Sequence, residues 1–311
     1  MPTKENASRQ ALQFLYLLMD KYILSTNRFR YGVDFMKKRF IEVDPDKCIA
    51  CTMCVRDCMT GALQMSEEKH IPEMVKDGSK ICFDCQHCLA VCPAGALSFS
   101  GIKAADVPAA EALPAGGEML ALIRQRRSIR QFKQEPLDRE TMELLKECLH
   151  WVPTGCNDHR LRFFIAGPQE IAEFRRIIDR RLRFMIKSGI MTLLVPRYRR
   201  YFDTILNGAD VIFREAPHII IVMSPRKSPC CTTDQVIALT QFDMMAQSLG
   251  VGTCWCGFAE RAFRMIGKLR RMIGCPAGYY IGGAMLFGRP AVKYYRATEP
   301  EKYIIEEKIK P

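Results

Sequence analysis

Apolar residues recur along this chain in two rhythms. Between positions 8 and 25 they form one stripe, with Ala11, Leu15, Leu18 and Tyr22 spaced three or four apart, which predicts a helix. That helix is expected to pack on its own protein or on a second subunit. Contact with a membrane surface is the less favoured reading. Beyond residue 117, helical and strand patterns alternate. Residues 118–127 predict a helix, and Asp138 is placed to cap another running to about His150, with Leu144, Leu145, Cys148 and Leu149 as its apolar side. Segments 161–166, 218–223 and 280–287 are short, apolar and rich in Ile or Phe, as buried strands are. Residues 233–249 predict a long helix stopping at Gly250, a good left-handed C-terminal cap. The pattern is that of an α+β domain with few strands and several long helices.

The rhythm breaks at 101–117 (GIKAADVPAAEALPAGG), whose Ala, Pro and Gly predict a linker. The expected organisation is therefore an N-terminal helical extension over 1–40, a small domain over 41–100, the linker, and a larger domain over 118–311. A chain of 311 residues accommodates this. Composition is that of a soluble globular protein, with 48% hydrophobic and 26% charged residues. The nearest approach to a membrane span, 11–25, is interrupted by Asp20 and Lys21, and no cleaved-signal pattern opens the sequence. A cytoplasmic location is expected. The net charge of +12 is uneven: 41–103 is acidic, with nine Asp/Glu against six Lys/Arg, and the rest is basic. This predicts an acidic partner or an anionic ligand. Nucleic acid is not expected, because aromatic content is ordinary and no nucleic-acid motif appears.

Fifteen cysteines change the picture. Cys48, Cys51, Cys54 and Cys58 recur 34 residues later as Cys82, Cys85, Cys88 and Cys92, and both runs continue into Gly-Ala-Leu. A secreted disulfide scaffold does not place eight cysteines in two matching runs. Structural zinc favours two separated pairs per tetrahedral site, not four cysteines within eleven residues twice over. The spacing suits [4Fe–4S] cubes. Residues 41–100 resemble the bacterial two-cluster ferredoxins, in which the fourth cysteine of each run ligates the other cluster. The resemblance implies Cys48, Cys51, Cys54 and Cys92 on one cluster, and Cys82, Cys85, Cys88 and Cys58 on the second. One departure is that Cys58 is followed by Met59 where Cys92 has the usual Pro93. His87, between two ligands, is read as a solvated loop residue.

The run Arg124, Arg126, Arg127, Ser128 and Arg130 ends a predicted helix with guanidinium forks and a hydroxyl suited to a phosphate dianion. Alone it would read as a solvated face. However, Arg-Arg-Ser-x-Arg-x-Phe, Pro153-Thr154-Gly155-Cys156-Asn157, Ala216-Pro217, the Gly-rich segment through Cys256 and Gly257, and Phe287-Gly-Arg-Pro290 follow one another as in the nitroreductase family. The chain is similar to that family over about 118–305. The resemblance implies a mixed sheet wrapped by long helices and an FMN site at a homodimer interface. It implies that Arg126, Arg127, Ser128 and Arg130 hold the FMN phosphate and ribityl chain. Pro153, Thr154, Gly155 and Asn157 would lie beside the flavin, with Asn157 presented across the interface. Cys256 and Gly257 would bring a backbone N–H towards flavin N5, and Arg296 would return to the phosphate. The family often continues Asn-x-Gln-Pro, whereas Asp158, His159 and Arg160 follow here.

The chain as a whole resembles ferredoxin-fused nitroreductases. The implied function is electron transfer from a low-potential donor through two clusters to FMN, and then as hydride to an electron-poor organic acceptor. Ferredoxin, flavodoxin or NAD(P)H are the expected donors; nitroaromatics, quinones or activated double bonds are the expected acceptors. No catalytic side chain is assigned, because flavin chemistry needs orientation more than acid–base groups. Two alternatives are an electron-relay subunit, docking through the basic 174–201 stretch, and a dedicated biosynthetic flavin reductase or dehydrogenase. Cys230 and Cys231 are expected as small buried side chains, with a place lining the pocket as the less favoured reading.

Overall fold

The computed structural model describes residues 39–194, 199, 202–299 and 303–308, without the side chains of 191 and 194. The helix expected over 8–25 lies outside the described residues. The chain divides into two compact units. One gathers Met1–Ala109 with Cys156–Asp158 and Lys227–Pro229; the other comprises Ala110–Gly155, His159–Arg226 and Cys230–Pro311. The larger domain expected over 118–311 thus gains residues at its start and cedes two short segments to the first unit.

In the first unit the sequence repeat is a structural repeat. Strand β1 (Ile41–Val43) is followed by helix α1 (Met53–Arg56), β2 (Leu63–Met65), β3 (Pro72–Met74), α2 (Gly78–Ile81), α3 (His87–Ala90) and β4 (Leu97–Phe99). β1 pairs with β4 and β2 with β3, both antiparallel. The correspondence extends to single dihedral angles. Ala50 (φ 51°) and Thr52 (φ 63°) match Asp84 (φ 59°) and Gln86 (φ 58°), each 34 residues on. Side-chain-bearing residues rarely occupy this left-handed region, and these sit between successive cysteines, where the loop must curl tightly. Cys54, Leu63, Leu89, Leu97 and Phe99 form the buried centre.

The second unit contains α4 (Gly116–Gln125), α5 (Arg139–His150), β5 (Arg162–Ala166), α6 (Pro168–Lys187), α7 (Ile190–Leu194), α8 (Phe202–Leu206), β6 (His218–Pro225), α9 (Cys231–Ser248), β7 (Gly252–Trp255), α10 (Gly257–Met265), α11 (Gly267–Met272) and β8 (Tyr279–Gly288). Its sheet runs in the order β5-β6-β8-β7 with every strand pair antiparallel. Among the described residues the parallel component of the mixed sheet is one bridge, Ser128 to Thr253. β6 is buried on both faces, which explains its unbroken apolar run. Ile219, Ile221 and Met223 face α6, α10 and α11, while Ile220 and Val222 face α5 and α9.

Local signals hold where geometry permits. Asp138 accepts the Thr141 N–H at 2.8 Å and caps α5. Gly250 closes α9 at φ +67°. Much of the basic 174–201 stretch belongs to α6, where Arg175 and Arg183 donate to the carbonyls of Gly208 and Leu206. Arg197 and Arg200 lie outside the described residues.

His218 opens β6, buried and stacked on Phe287 with centroids 5.1 Å apart. Its Nε2 accepts the Leu137 N–H at 3.0 Å. Burial lowers its pKa from 6.5, against an opposing backbone hydrogen bond to Ala166. Above pH 6.5 folded and unfolded chains both hold it neutral, and its contribution to stability is complete. As pH falls below 6.5, the unfolded chain takes up the proton first, and stability declines until the lowered folded value is passed. Melting temperatures between pH 7 and 5 should therefore fall less steeply in His218→Gln, whose amide oxygen can still accept the Leu137 N–H.

Candidate functional site

The eight cysteines of the repeat lie in two groups. Cys48, Cys51, Cys54 and Cys92 line one small cavity of about 20 Å³, walled by apolar residues including Ile49, Pro72, Pro93 and Leu97. Cys58, Cys82, Cys85 and Cys88 form the other group, near enough that the first three help raise the Cys88 thiol. The main cause is burial, and together they push it up to about 12. Burial also raises Cys54, with Cys92 and Cys51 adding to it. Among the described residues no three of His, Cys, Asp or Glu are grouped to hold a single metal ion. Four thiols gathered in each group suit the four corners of a [4Fe–4S] cube. His87 is exposed, with Nδ1 3.5 Å from Asp57 Oδ2, a solvated pair worth little.

In the second unit, residues 126–130 leave α4 and run beside β7. The Ile129 N–H donates to the Thr253 carbonyl at 2.7 Å. This close approach requires Gly252, because a Cβ there would collide with the Ile129 side chain. Extended backbone sends alternate side chains to opposite sides. Arg127 and Ile129 line a cavity of about 650 Å³ together with Arg124, Lys293, Tyr294, Tyr295 and Arg296. Arg126 instead pairs with Asp243 at 3.4 Å. Asp243, buried on α9, also accepts the Thr253 hydroxyl. Arg130 lies where its charge, with that of Arg214, partly offsets the burial that raises Cys254.

Of the residues expected to hold the flavin, Arg127 and Arg296 thus meet at one cavity, while Arg126, Ser128 and Arg130 do not line it. Arg127 donates to the Arg124 and Arg126 carbonyls, yet among the described residues its buried Nε and Nη2 have no hydrogen-bond partner. Buried guanidinium donors without acceptors are costly and fit a bound anion. An FMN phosphate suits this donor set and its surrounding cations. Sequence reasoning missed Arg124 as a cavity residue, although it stood in the quoted run, and also Lys293; nothing in their spacing separated them from surface cations.

The other expected positions have definite partners. The Gly155 N–H donates to Asp234 Oδ1 at 3.0 Å, and Thr154 Oγ1 accepts the His159 N–H at 3.0 Å. Pro153 precedes them on the same loop. The Cys256 N–H is committed to the Ala284 carbonyl at 2.8 Å, leaving Gly257, the first residue of α10, as the nearer expression of the expected backbone donor. Asn157 lies in the first unit and donates its side-chain amide to the carbonyls of Phe83 and Asp84. Cys231 accepts from the Ser224 hydroxyl through its carbonyl and its sulfur, and a Cβ on Gly155 would stand 2.5 Å from Cys230 Sγ.

Residues 123–289, more than half of the chain, match the nitroreductase family. The chain belongs to the nitroreductase family. Residues 47–96 of this family member match a 4Fe-4S dicluster domain. Similar solved structures include a nitroreductase with bound FMN from Bacteroides fragilis, at 18% identity, covering 61% of this chain and 99% of that one with a TM-score of 0.48. An FMN-dependent nitroreductase from Clostridium difficile is 19% identical, covering 62% and 100% with a TM-score of 0.46. A nitroreductase with bound FMN from Desulfitobacterium hafniense is 22% identical, covering 60% and 98% with a TM-score of 0.47. No curated protein matches this nitroreductase-family chain.

The buried Asp243 is the fixed point of the basic run. Asp243→Ala should destabilise the chain by about 1–3 kcal/mol, mainly through the stranded Thr253 hydroxyl. The half-exposed Arg126 adds less, because solvent screens its pair. Chemical denaturation of Asp243→Ala beside Thr253→Val checks this, since the two losses should overlap rather than add.

Proposed function

We propose that this chain is an FMN-dependent oxidoreductase. Two [4Fe–4S] clusters pass electrons from an external low-potential donor to the flavin, which reduces an electron-poor organic acceptor. One observation carries the reading: a unit with two groups of four cysteines is joined in one chain to a nitroreductase-family unit with an anion-seeking cavity. Cys48, Cys51, Cys54 and Cys92 would hold one cluster, and Cys58, Cys82, Cys85 and Cys88 the other. Bound FMN would supply the exchange between single electrons and electron pairs.

The protein's own part is binding, orientation and exclusion of water. Arg127, with Arg124, Lys293 and Arg296, would neutralise the phosphate, and Ile129, Val251 and Gly252 would wall its cavity. Ser128 and Arg130, on the alternate side of the run, would serve the rest of the cofactor, with Arg126 held by Asp243. Gly257 would offer a backbone donor from the start of α10. Exposed apolar side chains on α4 and α9, among them Met119, Leu120, Ile123, Val236 and Ile237, support assembly as a homodimer with flavin at the interface. No helix among the described residues is long and apolar enough to cross a membrane. Eight thiolates committed to clusters suit the reducing cytoplasm. Ferredoxin or flavodoxin is the favoured donor, because both pass single electrons; NAD(P)H is the alternative.

Anaerobically purified protein should contain about eight irons and eight sulfides per chain, the sum of two cubes, with FMN. Reduced ferredoxin should bleach clusters and flavin together, and a nitroaromatic or quinone should restore both over many turnovers. Arg127→Ala should weaken FMN binding about tenfold or more, equivalent to about 1.4 kcal/mol, with the iron content unchanged. A chain containing clusters but unable to bind FMN would overturn the proposal.

A further inference from the structure

Asn157 has a placement that the flavin reading does not use. The chain enters the first unit for three residues, Cys156–Asp158, and again at Lys227–Pro229. The two segments are joined there by the Ser228 hydroxyl, which donates to Asp158 Oδ2 at 2.5 Å. Asn157 then donates from Nδ2 to the Phe83 carbonyl at 3.1 Å and the Asp84 carbonyl at 3.0 Å. Both carbonyls lie between Cys82 and Cys85. Asn157 (φ 54°) and Asp84 (φ 59°) are both in the left-handed region, so two uncommon backbone conformations meet at this contact.

The chemistry lies in the peptide that Asn157 grips. The Phe83 carbonyl and the Asp84 N–H are the two ends of one planar amide, and the Asp84 N–H donates to Cys82 Sγ at 3.4 Å. A donor at the carbonyl end fixes the plane and polarises the N–H, strengthening its bond to sulfur. Hydrogen bonds to cluster sulfurs are among the determinants of reduction potential, since they favour the more negative reduced state. We infer that Asn157 is a positioning residue for the second cluster, acting through the Phe83–Asp84 peptide on Cys82 and holding that cluster's potential up. The first cluster's corresponding peptide, between Ile49 and Ala50, lies 34 residues earlier in the repeat. The Asn157 effect is therefore specific to one of two otherwise matching sites.

This inference rests on the two-cluster reading, and its test separates the two. Asn157→Asp keeps size and tolerance of the left-handed backbone but turns an acceptor towards two carbonyls. Asn157→Gly keeps the backbone freedom and removes the amide. Each full-length holoprotein is titrated anaerobically by potentiometry with electron paramagnetic resonance, beside iron and FMN content and hydrogen exchange of the Asp84 amide. The expected result is wild-type iron and FMN, faster Asp84 exchange, and one cluster couple shifted to lower potential with the other unmoved. The shift corresponds to about a tenfold smaller equilibrium constant for reduction, about 59 mV for one electron, and is larger for Asp than for Gly. Two couples at wild-type potential with intact iron would overturn the inference, as would loss of FMN alone. Should both variants lose iron, Ser228→Ala, which loosens the segment without touching the loop, decides: the same couple moves, or the inference fails. Fewer than about eight irons in the unsubstituted chain would remove the two-cluster reading itself, and this inference with it.

Discussion

Eight thiols packed into two short loops create an electrostatic problem that the polypeptide does not solve alone. Burial and the mutual repulsion of Cys58, Cys82, Cys85 and Cys88 push the Cys88 thiol up to about 12, so the bare loop resists the thiolate form. Iron reverses that logic, because a bound cation favours the deprotonated thiol. The architecture of the first unit follows from this constraint. Its strands are three residues long, its buried centre is small, and left-handed residues curl each loop around its cavity. Such a unit has few apolar contacts of its own, so cluster assembly and folding are expected to be linked.

The second unit rests on ordinary hydrophobic burial. β6 and β8 form the centre of a sheet covered by helices on both faces, and neither strand presents a polar stripe to solvent. This rigid layer carries β7 at its edge, and β7 carries the basic run through the Ile129–Thr253 bond. The cations are thus held by backbone pairing rather than by one another, which allows several like charges to share a small region. Asp243 offsets one of them from beneath, while two Arg127 donors find no acceptor among the described residues. Unsatisfied donors on a well-supported backbone are what preorganised anion binding requires.

Asn157 shows how a loop residue acquires a role from its surroundings. Its position after Pro153, Thr154 and Gly155 resembles a flavin-contacting motif, and an amide suits a flavin edge. In the fold that amide meets two carbonyls of the second cysteine loop. The same donor chemistry serves either purpose; only the neighbours differ. Amide groups are versatile in this way because they both donate and accept, so residue type alone leaves the partner undecided.

Much of this protein was determined by its sequence. Cysteine spacing specified the cluster chemistry, because three of a cube's four thiolates come from one tight loop and the fourth from the matching run. Asp138 and Gly250 marked helix ends through local hydrogen bonding and backbone freedom, and the apolar runs marked the buried strands. The repeat was legible in its cysteines and its Gly-Ala-Leu continuation, and the structure extended it to left-handed residues 34 positions apart. Tertiary structure decided the rest. It drew Cys156–Asp158 and Lys227–Pro229 into the first unit, although nothing in their composition departs from an ordinary loop. It committed the Cys256 N–H to Ala284, made β7 a strand where sequence suggested only a Gly-rich connection, and divided the arginine run between two sides. The physical reason is range. Caps, turns and cluster loops depend on residues a few positions apart, whereas the partner of a strand edge or a loop amide comes from distant parts of the chain.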